Sequence, residues 1–400
     1  MKIHSIKIKL INTNLNVIII FLIIIQSCGI RFFNGQGILL SIIIIALLLY
    51  NLNLKKIGQI NILFFLSILL ISLQLLVNES SSIKMMAFQV ILILEILLLF
   101  KNTKEFNKLT VDLYTTLTIF FYNAALGIIL YILFPFLFSK LNSETNYLTF
   151  FYIFYVIPTQ TFVRNTGLLW EPGLLQLMLN LYLFFSIKRK VSIIKLGIII
   201  LIIVSTFSTT GYLILIINGV YYLKVSFSKN NIIGLFFIGC IILLFKDLLN
   251  TNIINKFNLT NTSGLIRLRD FIISIDLIKE KPLLGHGLFD LEYLLAKNNI
   301  LYIEEQILSN KYLNSYGQMS GGFTNGLFGI FCWYGIPVGI YLYYCLYRNR
   351  FVDNSAIERI TFFLILVLTF FSEPITYTSF FLLFPFSYVY YKNNYIFLRR

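Results

Sequence analysis

Apolar runs of about helix-spanning length recur from Leu15 to Tyr391, separated by short polar breaks. A helix needs about 20 apolar residues to cross a hydrocarbon core of about 30 Å. Backbone groups in lipid must be satisfied within their own segment, so such runs must be helices. The runs fall near 15–30, 37–53, 60–77, 83–100, 111–137, 171–187, 192–209, 211–225, 231–249, 325–347, 357–372 and 375–391, about twelve helices. With 58% hydrophobic and only 12% charged residues, the composition lies far from that of a soluble domain. The expected fold class is therefore all-α, a polytopic integral membrane protein. A further apolar run, Tyr147 to Ile157, is too short to span and precedes Pro158, and reads as a re-entrant or interfacial piece.

Loops facing the cytoplasm carry excess Lys and Arg. If the N-terminus is inside, the inner breaks hold Lys2, Lys7 and Lys9; Lys55 and Lys56; Lys101, Lys104 and Lys108; Lys188 to Lys190 and Lys195; Lys224 and Lys229; Arg348, Arg350 and Arg359; and Lys392, Arg399 and Arg400. The outer breaks before the long one hold only Arg31, Lys84, Lys140 and Arg164. Both termini are expected in the cytoplasm. The first run is expected to be a retained helix, because no small-residue cleavage site follows it. Topology accounts for the +15 charge, which is scattered through inner breaks, and nucleic acid is set aside as a partner.

One polar interruption is long. It divides the chain into membrane helices over 1–245, with an outer segment at 138–170, an outer loop over 246–324, and membrane helices over 325–400. The loop contains SGLIRLRDFIISIDLIKEKPLLGHG (Ser263 to Gly287) and GGFTNG (Gly321 to Gly326), and the charge pattern puts it on the same side as RNTGLLWEPG (Arg164 to Gly173). From Ser263 an apolar stripe runs beside a polar stripe of Arg267, Asp270 and Ser274 at helical spacing, the pattern of an amphipathic helix on the outer surface. An arginine there suits a diphosphate, since its planar fork makes paired charge-assisted hydrogen bonds; the plain alternative is a surface pair of Arg267 with Asp270. His286 stands between two glycines in a turn where its ring can be exposed, and a lone loop histidine is also often structural. Glu171 with Pro172 opens a helix, where an acid near the positive dipole end is natural, and Arg164 can be read simply as an interfacial cation.

Other chemistry finds little material. Cys28, Cys240, Cys332 and Cys345 lie in or beside apolar runs without paired spacing, so neither a disulfide nor a zinc site is expected. Asp290 and Glu292 form an acid-x-acid pair that reads better as a solvated face than as a metal site. No Gly-rich phosphate loop, Ser-His-Asp set or HExxH helix can be assembled. No metal and no cofactor are expected.

RNTGLLWEPG opening a helix, a Ser-to-Arg amphipathic segment ending in PLLGHG, and FTNGLF followed by Gly335 and Ile336 together resemble the O-antigen polymerase and O-antigen ligase family of bacterial envelope glycosyltransferases. The resemblance covers about Arg164 to Ile340. It implies about a dozen helices with a large outer loop, and transfer of glycan from an undecaprenyl diphosphate carrier to an acceptor. It also implies that Arg164 and Arg267, with Arg269 beside it, hold the diphosphate. Thr324 and Asn325 fall where ligases carry His followed by Asn or Ser. The Thr at that position leans the reading toward a polymerase.

The expectation is a polysaccharide repeat-unit polymerase. Arg164, Arg267, His286 and Glu171 would be catalytic, and Arg269, Thr324 and Asn325 would bind substrate. Its partners would be the lipid-linked oligosaccharide, membrane lipid and a chain-length regulator. A ligase is the rival within the same chemistry. A flippase of lipid-linked sugars is the rival outside it, disfavoured because the two halves show no repeat and charge collects in the outer loops.

Overall fold

The computed structural model describes residues 2–30, 32, 35–51, 69, 83–103, 106–141, 147–159, 163–225, 271, 273–287, 325–352, 355–373 and 375–397. The run at 60–77 apart from Leu69, the run at 231–249 and most of 246–324 lie outside them, as do Arg267, Arg269, Asp290, Glu292 and Thr324. The described residues are mostly helical: α1 (Lys2–Cys28), α2 (Gln36–Asn51), α3 (Ile83–Asn102), α4 (Phe106–Leu133), α5 (Pro172–Lys188), α6 (Ile193–Val204), α7 (Thr209–Val225), α8 (Gly326–Tyr347), α9 (Ala356–Ser372) and α10 (Ser379–Phe397). Three of them, α3, α4 and α8, are long and apolar enough to cross a membrane, and shorter apolar helices include Leu15–Cys28, Gln36–Tyr50, Ile193–Val204 and Ser379–Tyr390. A polytopic membrane protein fits these helices.

Helix ends follow local chemistry. The run expected over 111–137 stops at Leu133, because Pro135 has no N–H and disfavours helical backbone at Phe134; a 3-10 turn, Pro135–Leu137, follows. The run expected to reach 209 stops at Val204, where the hydroxyls of Ser205 and Thr206 donate back to Ile202 O and Ile203 O, both at 2.7 Å. The last run begins late, at Ser379, with the Thr378 hydroxyl accepting from Phe381 N at 3.4 Å as an N-cap does.

The expectation of an all-helical chain needs one correction. Between α4 and α5 the chain forms a four-stranded antiparallel meander: β1 (Ser139–Lys140), β2 (Leu148–Phe150), β3 (Phe154–Pro158) and β4 (Val163–Gly167). Its register pairs Phe150 with Phe154 across the β2–β3 turn and Ile157 with Arg164 across β3–β4. The short run from Tyr147 is thus a hairpin. Leu, Phe, Tyr, Ile and Val suit a pleated surface, and because both faces carry apolar residues no alternation marks the strands in sequence.

The chain divides into two compact units, 1–53 with 98–250 and 349–369, and 54–97 with 251–348 and 370–400. In the first, α5 is the hub: every residue from Pro172 to Ile187 is buried, against α4, α6, α7 and β4. A helix apolar all round belongs in such a place. Phe184 of α5 stacks on Tyr221 at 5.0 Å between ring centres and meets Phe362 of α9 edge-on at 5.4 Å. At the C-terminal end of α5 the cations find partners, Lys188 in an ion pair with Glu358 at 3.3 Å and Arg189 over the Tyr114 ring at 3.9 Å. In the second unit α8 packs on α10, and Phe271 meets Phe328 edge-on at 5.1 Å.

Candidate functional site

RNTGLLWEPG folds as a strap leading from β4 into the hub helix. Asn165 holds it in three directions. Its backbone N–H donates to Ser205 O at 3.0 Å, its side-chain amide to Ala124 O at 2.9 Å, and its side-chain oxygen accepts from Gly167 N at 3.1 Å. The Thr166 hydroxyl donates to Tyr155 O at 3.0 Å. Gly167 turns the chain at φ 58, a left-handed conformation that favours glycine. Leu169 then bridges to Gly29, and Trp170 N donates to Cys28 O at 3.1 Å, fixing the strap to the end of α1. Glu171 stands at the N-cap in extended conformation with Pro172 next, and its backbone carbonyl accepts the first helical bonds while its side chain makes no capping bond.

Two charged side chains stay at the surface of this strap. Arg164 is half-buried, with its Nε donating to Thr206 O at 3.4 Å, and Glu171 is half-buried as well. Tyr147, which the sequence reading did not single out, joins them. Its hydroxyl donates to Trp170 O. Burial first, and then the Glu171 charge, push that hydroxyl's pKa up to about 12 against the opposing effect of Arg164. Tyr147 therefore lies within electrostatic reach of both. A guanidinium can hold an oxyanion, and a carboxylate can orient a hydroxyl. Tyr147 had no signal of its own, being one of 25 tyrosines at the edge of a hairpin without alternation.

The second expected group lies in the other unit and has a different character. Helix α8 is broken at Gly335, with φ 77 and ψ 168, two residues before Pro337. In an unbroken helix Cys332 O would accept from Ile336 N, and Trp333 O from position 337, where proline has no N–H. Here Ile336 N donates instead to Pro282 O at 2.7 Å. The two carbonyls are recovered by the GHG turn, His286 N donating to Cys332 O at 2.7 Å and Gly287 N to Trp333 O at 3.0 Å. The backbones approach so closely that a Cβ on Gly335 would come within 2.2 Å of Leu283 O, and one on Gly285 within 2.6 Å of Trp333 O. PLLGHG and the downstream Gly335 are two halves of one hydrogen-bonded joint.

This corrects the expectation of an exposed His286 ring. The side chain is fully buried, and its Nε2 bonds Leu277 O at 3.0 Å, with Glu280 Oε2 at 3.7 Å. A carbonyl can only accept, so Nε2 carries the proton in that bond. The ring ties the turn to the preceding helical stretch at 273–280. Asn325 is buried too, and its side-chain oxygen caps α8 by accepting from Phe328 N at 3.3 Å. It stands about 10 Å along the helix axis from Cys332.

The structure thus gathers Arg164 and Glu171 with Tyr147, and ties His286 and Asn325 into the backbone of α8. Arg267, Arg269 and Thr324 fall outside the described residues, and among the described residues no group of three metal-ligating side chains occurs. Compared with known proteins, the chain matches no family model, no curated protein and no solved structure.

Proposed function

We propose that the protein is a membrane glycosyltransferase that polymerises polysaccharide repeat units carried on a polyprenyl diphosphate, on the outer face of the bacterial cytoplasmic membrane with both termini inside. The observation that carries this reading is the division of labour in the strap. Asn165, Thr166 and Gly167 are committed to holding the backbone, while Arg164 and Glu171 remain half-buried beside Tyr147. An acceptor sugar hydroxyl attacks the anomeric carbon of the lipid-linked chain, the bond from that carbon to the diphosphate oxygen breaks, and the hydroxyl proton leaves to a base. The departing diphosphate gains negative charge, which Arg164 offsets. Tyr147, held neutral, keeps the strap in place through Trp170 O, and Glu171 is the carboxylate placed to orient or deprotonate the acceptor. His286, bound through Nε2 to a carbonyl, keeps the joint with α8 closed.

The test is elongation by purified protein in vesicles supplied with diphosphate-linked single repeats. The wild type should give a ladder of lengthened chains, and Arg164→Ala should leave single repeats on the carrier. Transfer of one finished chain to a final acceptor without a ladder would identify a ligase. Movement of the carrier across the bilayer without new glycosidic bonds would identify a flippase.

A further inference from the structure

The β2–β3 hairpin ends in a tip with exposed side chains. Phe151 is 74% exposed, Tyr152 63% and Ile153 48%. Phe151 and Tyr152 occupy the two central turn positions at φ 53 and 56, and Ile153 N closes the turn on Phe150 O at 3.2 Å. Such a turn favours Asn-Gly, which adopts positive φ without strain. Two aromatics stand there instead, so their side chains have a use that outweighs the backbone's preference.

Three carbonyls of the tip find partners within the protein. Phe150 O accepts from Ile153 N, Tyr152 O from the Tyr155 hydroxyl at 2.8 Å, and Ile153 O from the Asn123 side-chain amide at 3.0 Å. A turn facing water can leave carbonyls to solvent, whereas a turn in lipid must satisfy them within the protein.

Helix α4 measures the depth. Gly127 of α4, where a Cβ would meet Phe154 at 3.2 Å, lies 19 residues beyond Lys108. At 1.5 Å per residue that is about 28 Å, close to one hydrocarbon thickness. With Lys108 at the boundary expected from the charge pattern, the tip stands where α4 reaches the other. Aromatic side chains collect at that level in membrane proteins. Phe32 meets Tyr152 edge-on at 6.3 Å, and the exposed side chains Ile129, Ile132 and Leu133 of α4 carry the apolar surface onward to Phe136.

We propose that the hairpin tip, Phe150–Phe154, is set into the acyl–headgroup boundary of the membrane and holds strand β4, with Arg164, at the depth of lipid phosphates. Asn165, next to Arg164, bonds Ala124 O, only about 5 Å along α4 from Gly127. The anchorage stands on these contacts alone, and its service to Arg164 rests on the function proposed above.

Full-length protein with its four cysteines replaced and one nitroxide attached through Phe151→Cys is reconstituted in phosphatidylethanolamine–phosphatidylglycerol vesicles. Collision is measured with oxygen, which concentrates in lipid, and with a nickel chelate, which stays in water. The oxygen-to-nickel ratio should be several-fold higher than for a label at Lys190, an exposed position in the turn after α5. An equal ratio would show a tip in water, and shielding from both reagents would show a tip covered by protein; either overturns the proposal. Phe151→Asn with Tyr152→Gly suits the turn and so keeps the fold, and a label at Val163 in that background should gain nickel access several-fold. Unchanged access at Val163 would show that the tip does not set the depth of β4. The collision readouts contain no sugar chemistry, so anchorage and polymerisation can fail separately.

Discussion

In the strap from Arg164 to Gly173 the backbone and small polar side chains satisfy one another and the charged side chains stay at the surface. In the turn from Pro282 to Gly287 the titratable side chain itself is part of the framework, its ring bonded to Leu277 O and its N–H to Cys332 O. Both stretches are short, glycine-bearing and joined to a helix. The difference is where the hydrogen bonds come from. Asn165 and Thr166 supply them in the strap, and Arg164 and Glu171 stay half-buried at its surface. Within the turn itself, Pro282 to Gly287, no such residues occur, and the chain uses its own N–H groups and an imidazole to repair the break at Gly335 and Pro337. Changes to the turn should therefore act through stability, and changes to the strap's charges through chemistry.

The largest effect should come from Gly335→Ala. A Cβ would collide with Leu283 O, and the residue would keep a positive φ, so a loss of about 4 kcal/mol or more is expected. Size-exclusion profiles and thermal melting in detergent should show little folded protein. A variant as stable as wild type would mean the joint is not rigid, and the contrast between the two regions would lose its basis.

Next is Arg164, where the fold should survive. Arg164→Ala should reduce elongation by about 10²- to 10³-fold at normal protein level, the scale seen when one donor to a developing anion is lost. Arg164→Lys should be nearly as poor, because a point charge does not reproduce the planar fork. Normal ladders from the Lys variant would remove diphosphate recognition from this side chain.

His286→Ala sharpens the comparison from the other side. Losing a buried hydrogen-bonding ring should cost about 1–3 kcal/mol of stability. Elongation per folded molecule should stay close to wild type, whereas loss of a general base would lower it by about 10²- to 10⁴-fold. A drop of that size in protein shown to be folded would return the histidine to the catalytic group.

The smallest effect should be that of Tyr147→Phe, which leaves Trp170 O without its donor and costs about 1 kcal/mol. The sign of its pH dependence follows from the raised pKa. The neutral hydroxyl is favoured in the fold, so its contribution is complete below about pH 10 and is lost as pH rises toward about 12. Alkaline melting of wild type against the Phe variant would show the two curves converging over that interval. Curves already together at neutral pH would mean that the tyrosine does not hold the strap.

The sequence by itself determined the solvent and most of the helices. Length and apolarity require helices wherever about 20 such residues run together, and α1, α2, α3, α5, α8 and α9 begin and end within a few residues of the expected runs, apart from the N-terminal extension of α1. It also singled out Arg164 and Glu171, because a charge among apolar residues is conspicuous. Tertiary structure alone decided the rest. The hairpin was hidden because an apolar run of 11 residues carries no period that separates strand from helix, and only pairing with β4 and the Asn123 and Asn165 bonds to its neighbours select the strand. Tyr147 joined the strap through a carbonyl, and every residue has one. The role of His286 turned on two carbonyls freed at Gly335 and Pro337, about 50 residues away in sequence. Local pattern reports what a segment prefers, but a side chain's task depends on which distant backbone groups lack partners, and that is known only once the helices have packed.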